Sequence, residues 1–129
     1  MKPSRIAAII LLVLVTASGA AIADDSAIAS KLKGNWQGYW KQGDRDGRVS
    51  ASITGSVENR LQGEIVWFGM VQQTLKLPFD HAEVRDGRFR FSHDQGITID
   101  AKVSGDAQSI KGNWGSAAGG GTLQLKKIH

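Results

Sequence analysis

Residues 32–129 predict an all-β domain, an eight-stranded antiparallel up-and-down β-barrel. Apolar and polar residues alternate with period two through almost the whole segment, the mark of strands with one buried face. Short clusters of Gly, Asp and Asn interrupt that alternation and leave no room for a crossover helix, so neighbouring strands pair as hairpins. The tetrapeptide Lys-Gly-Asn-Trp occurs twice, as Lys33–Trp36 near the start and Lys111–Trp114 near the end. Each copy sits in an aliphatic-x-Gly-x-bulky pattern, Leu32-x-Gly34-x-Trp36 and Ile110-x-Gly112-x-Trp114, with a weaker third at Leu61-x-Gly63-x-Ile65. On a strand these three residues share a face, and an inward glycine suggests tight curling with room for a large neighbouring ring.

The elements follow in order. Residues 24–31 form a polar lead-in with one helical turn, capped by Asp25 or Ser26. Gly34 to Gln42 is the first strand, with Trp36 and Trp40 on one face. Gly43 to Gly47 is a hairpin loop, and Val49, Ala51 and Ile53 carry the second strand. After a turn from Gly55 to Arg60, Leu61, Gly63, Ile65 and Trp67 share a face of the third. Leu75 and Leu77 open the fourth, which Pro78 brings to an edge or an end. Arg85-Asp86-Gly87 is a strong turn signal before Phe89 and Phe91 of the fifth. Ile97, Ile99, Ala101 and Val103 define the sixth, Ile110 to Trp114 the seventh, and Leu123 with Leu125 the eighth, reached through Gly119 to Gly121. Eight is the number at which a meander closes with an interior that side chains just fill. Closure places the first and seventh strands on either side of the eighth, with Trp36 and Trp114 expected at a common rim. A two-sheet sandwich is the alternative.

The first 23 residues read as an export signal. Lys2 and Arg5 precede an apolar run from Ile6 to Val15, and Ala21-Ile22-Ala23 fits a cleavage site before Asp24. The run is too short for a spanning helix, which needs about 20 residues. The expected address is the periplasm or the medium, with no stable membrane insertion after cleavage. Cleavage leaves 106 of the 129 residues, enough for one domain, and no cysteine is present to staple it. The 16 basic residues fall to 14 without Lys2 and Arg5, against 12 acidic ones. Charges are interleaved rather than clustered in sequence, which argues against a nucleic-acid partner.

Trp36-Gln37-Gly38, Leu61-Gln62-Gly63-Glu64-Ile65, Val84 to Phe89, Ile110 to Trp114 and Leu123-Gln124-Leu125-Lys126 together resemble a small all-β domain of exported bacterial proteins, free-standing or preceding secreted α/β-hydrolases. Gly34-x-Trp36 is similar to the first-strand signature of lipocalins and avidins, so the resemblance implies a calycin-like barrel. The cysteines common in lipocalins are missing, and a single tyrosine replaces the several polar groups of avidin-like pockets. The resemblance implies a fold and no particular ligand.

No Gly-x-Ser-x-Gly elbow, cysteine nucleophile or phosphate loop is present, so no catalytic residue and no cofactor is assigned. Asp80-His81, His93-Asp94 and nearby Glu83 offer zinc-type ligands, but they fall at strand ends where such residues face solvent, and no metal site is assigned. Asp44-Arg45-Asp46-Gly47 lacks the remaining ligands of a calcium loop. Trp36, Trp40, Trp67, Phe89, Phe91 and Trp114 fall on the expected inner face. They either fill the core or line a partial cavity for an apolar ligand. Tyr39, Val66 and Phe68 face outward, and Val66, Phe68, Met70 and Val71 make a candidate protein-contact patch. The expected function is a non-enzymatic exported barrel that binds an apolar small molecule or another exported protein, a protease it inhibits included. The rival is a cyclase or isomerase using an aromatic cavity, which requires a continuous void with an inward acid or base.

Overall fold

A computed structural model describes residues 24–70 and 74–128. Residues 1–23, where an export signal is expected, and Val71 lie outside the described residues. Nine strands alternate along the described chain: β1 (Gly34–Gln42), β2 (Arg45–Val57), β3 (Arg60–Trp67), β4 (Leu75–Pro78), β5 (His81–Arg85), β6 (Arg88–Ser92), β7 (Thr98–Val103), β8 (Ser109–Ser116) and β9 (Gly119–Lys127). Every pairing is antiparallel. The sheet runs β2-β1-β9-β8-β7-β6-β5-β3-β4 and closes through β2–β3.

The nine strands fill eight places around a closed barrel. Glu64 of β3 pairs with Pro78 of β4, while Arg60 of the same strand pairs with Glu83 of β5. Thus β4 and β5 are two lengths of one wall position, broken over Pro78 to Asp80. Pro78 has no N–H for the ladder, which is why the strand stops there. The chain then resumes against the lower half of β3.

Several boundaries differ from expectation. The first hairpin turns on Gly43 and Asp44 alone, so β2 begins at Arg45. It runs on to Val57 because a bulge between Ile53 and Gly55 absorbs the glycine that looked like a turn. Gly119 to Gly121 belong to β9 rather than to a lead-in loop. The Asp86-Gly87 turn forms as expected, with φ of 54° and 75°, the doubly left-handed geometry of a type I′ hairpin.

The lead-in is a helix, α1 (24–31), and it closes the lower end of the barrel. Ala29 and Leu32 are fully buried in the core cluster, and Ile28 packs against it. Asp25, only 8% exposed, does not cap its own helix. Its Oδ2 and Oδ1 instead accept the backbone N–H groups of Asp86 and Gly87, each at 2.9 Å. The carboxylate pins α1 to the β5–β6 turn.

The two tetrapeptide tryptophans share the inner face but not a rim. Trp36 stands opposite Lys127 and Trp114 opposite Gly121, so they lie six residues apart along β9. That is about 20 Å at the rise of a strand. The stagger that closing a barrel imposes is the cause: Gly38 of β1 and Ile110 of β8 both face Leu125, which brings Trp40, not Trp36, beside Trp114.

Candidate functional site

The six aromatic residues on the inner face are all at most 4% exposed and belong to one apolar cluster. At the lower end Trp36 donates from Nε1 to the carbonyl of Leu32 at 2.9 Å. At the upper end Trp40, Trp67 and Trp114 form a triad. The Trp40 and Trp114 ring centres are 6.0 Å apart, edge to face, and those of Trp67 and Trp114 are 5.7 Å apart. Trp40 Nε1 donates to the Phe68 carbonyl at 2.8 Å, and Trp114 Nε1 to the Lys41 carbonyl at 3.2 Å. Trp67 Nε1 is buried without a partner among the described residues. Phe89 and Phe91 are bridged by Phe79 from the break between β4 and β5, at 6.0 and 5.6 Å. Large rings in mutual contact, with three of four indole N–H groups taken by this chain's own carbonyls, leave the interior little unspent binding capacity.

The motif glycines do not make space for these rings. A Cβ on Gly112 would meet the backbone of Asp100 and Ala101 in β7, and one on Gly63 would meet the Ser52 carbonyl and Ile53 backbone in β2. They allow neighbouring strands to approach closely, which is how the wall coils.

Asp25 is the only buried polar or charged residue among those described, and both its oxygens are engaged at the lower end. Among the described residues, no other acid or base is buried in the interior. His93 Nε2 lies 3.6 Å from Asp80 Oδ2, and its Nδ1 accepts the Gln95 N–H at 3.1 Å. His81 is exposed, and no group of three metal-ligating side chains occurs among the described residues.

The expected contact patch is divided. Val66 and Phe68 are half-buried, whereas Met70 turns inward and packs against the core. Tyr39 is 65% exposed. Arg48 intervenes between Tyr39 and Phe68, paired with the first and with its guanidinium 5.5 Å from the ring centre of the second. A cleft of about 490 Å³ opens beside Tyr39, lined also by Lys41, Asp46, Lys111, Thr122, Leu123 and Gln124. Another, of about 430 Å³, lies over β5–β7 between His81, Glu83, Arg90 and Asp100. The sequence places Tyr39 outside with Lys41 two residues on along β1, but not beside Gln124 and Lys111, which cross-strand register brings to it from β9 and β8. Comparison with known proteins found no matching family model, no matching curated protein and no matching solved structure.

Proposed function

We propose that the chain is a non-enzymatic binding module of an exporting cell, and that it takes its partner on the outside of the barrel. The observation carrying this reading is the packed interior: six rings in one cluster, with three of the four indole N–H groups bound to backbone carbonyls. An apolar guest would have to displace rings whose loss costs about 3–5 kcal/mol each. A cyclase or isomerase would further need an inward acid or base, and Asp25 is held on a turn at the closed end. The outer wall, by contrast, carries exposed clefts and an exposed tyrosine.

The test is titration with an apolar fluorescent probe, anilinonaphthalene sulfonate, beside native mass spectrometry of protein purified from its own host. The expected result is no stoichiometric dye uptake and no adduct of an apolar small molecule. A saturable dye site that quenches indole emission would overturn the reading.

A further inference from the structure

Cross-strand register assembles a row of positive charge that is invisible along the chain. On the outer face Arg85 stands opposite Arg88, Arg88 opposite Lys102, and Lys102 opposite Lys111. The row continues through Gln124 and Tyr39 to Arg48. It holds no carboxylate. Like charges directly opposite one another destabilise a sheet, so the fold carries this arrangement at a cost.

Neutralisation is confined to one end of the row. Arg85 reaches Glu83 at 3.3 Å, and Asp100 holds Arg88 at 2.7 Å and Arg90 at 3.9 Å. Lys102, Lys111, Lys41 and Arg48 make no ion pair among the described residues. The unneutralised end is where the cleft beside Tyr39 opens. Lys111 and Lys41 line it from opposite sides of β9, with Gln124 and Thr122 between them. Asp46 is the one carboxylate on its lining.

We propose that this cleft binds an acidic oligosaccharide, a chain of sugar rings bearing carboxylates; the proposal rests on the outer-face reading above. The exposed phenol ring offers a flat apolar surface for the C–H face of a pyranose. Gln124 and Thr122 supply donors and acceptors for hydroxyl groups. Lys41 and Lys111 supply the charge-assisted bonds that carboxylates take. An acidic peptide fits less well. The strands that line the cleft, β1, β2, β8 and β9, are each paired on both sides, so no free edge is offered there for an extended chain to join. The lining also lacks the cluster of large apolar anchors on which protein partners depend, Tyr39 being its one exposed ring.

Calorimetric titration with oligogalacturonate, a neutral oligosaccharide of equal length and poly-L-glutamate tests this. Oligogalacturonate is expected to bind, and the neutral sugar to bind at least about tenfold more weakly. Raising NaCl from about 0.05 M to about 0.5 M should weaken the interaction severalfold. Tyr39→Ala, and Lys41→Gln combined with Lys111→Gln, should each weaken it about tenfold or more, while Tyr39→Phe retains it. All these side chains are exposed, and unchanged melting midpoints would show the variants intact. Lys31→Gln combined with Lys33→Gln removes the same charge at the other end of the barrel and should leave affinity unchanged. The proposal is overturned by absence of binding, by equal affinity for poly-L-glutamate, or by equal loss in the distant double variant. Failure here without dye uptake would sink only the saccharide and leave the outer-face reading standing.

Discussion

Gly112 and Gly115 lie three residues apart in β8 and meet different surroundings. A Cβ at Gly112 would press on Ala101 Cα and the Asp100 carbonyl of the adjoining strand, whereas one at Gly115 would meet Thr98 Oγ1 at an ordinary 3.5 Å. Gly112→Ala should therefore lose about 1–3 kcal/mol as β7 and β8 are forced apart. Gly115→Ala should change stability by less than about 1 kcal/mol. Urea denaturation of the pair reads the difference directly, and equal midpoints would mean the walls do not approach as described. The tryptophans divide in a similar way. Trp40→Phe and Trp67→Phe remove similar volume, but only the first breaks a hydrogen bond, leaving the half-buried Phe68 carbonyl without its donor. Trp40→Phe should be the costlier by about 1–3 kcal/mol. The sequence placed all six rings on the inner face because period two fixes direction. Which carbonyl each indole reaches depends on register, and that is a long-range property.

Among the elements, α1 packs Ala29 and Ile28 on the core and is pinned by the Asp25 carboxylate to a turn 61 and 62 residues away. Asp25→Ala should cost about 1–3 kcal/mol by leaving the Asp86 and Gly87 amides without their acceptor. Hydrogen exchange should quicken at those two amides while β7 to β9 stay protected; uniform acceleration would contradict a local role. The lead-in looked polar and short, and no local signal showed that Asp25 would serve a distant hairpin instead of its own helix. The turns were legible where their chemistry is local, as at Asp86-Gly87, and misread where a glycine sits in a bulge, as at Gly55. Charges on the strands were legible as outward-facing, yet their alignment into Arg88, Lys102 and Lys111 was not. Lys102→Glu would turn two repulsive contacts into attractive ones. It should stabilise the sheet by about 0.5–1 kcal/mol, a gain that shrinks as salt is raised. Destabilisation would show that the row is already relaxed by solvent.

Closure governs the molecule as a whole. The alternating pattern and the hairpin spacing were sufficient to expect eight wall positions, and even Pro78 was read correctly as an end. The stagger between positions was not readable, since it arises only when the last strand meets the first, and it moved Trp114 from Trp36 to Trp40. β9 makes that junction, pairing with β1 on one side and β8 on the other. The ends of the domain also meet there: Ile128 N–H donates to the Asn35 carbonyl, and Lys127 Nζ reaches the Lys31 carbonyl at 2.8 Å. Joining Ile128 to Asp24 by a flexible linker of about eight residues, which spans up to about 25 Å, should therefore leave the fold intact. Opening that circle between Ala117 and Ala118, in the exposed β8–β9 turn, should yield a protein with the parent's circular dichroism and cooperative melting, weaker by about 1–2 kcal/mol. Opening it between Leu123 and Gln124 cuts the strand that both neighbours need, and should abolish the cooperative transition. Equal stability of the two permutants would mean that the barrel does not depend on β9 for its closure.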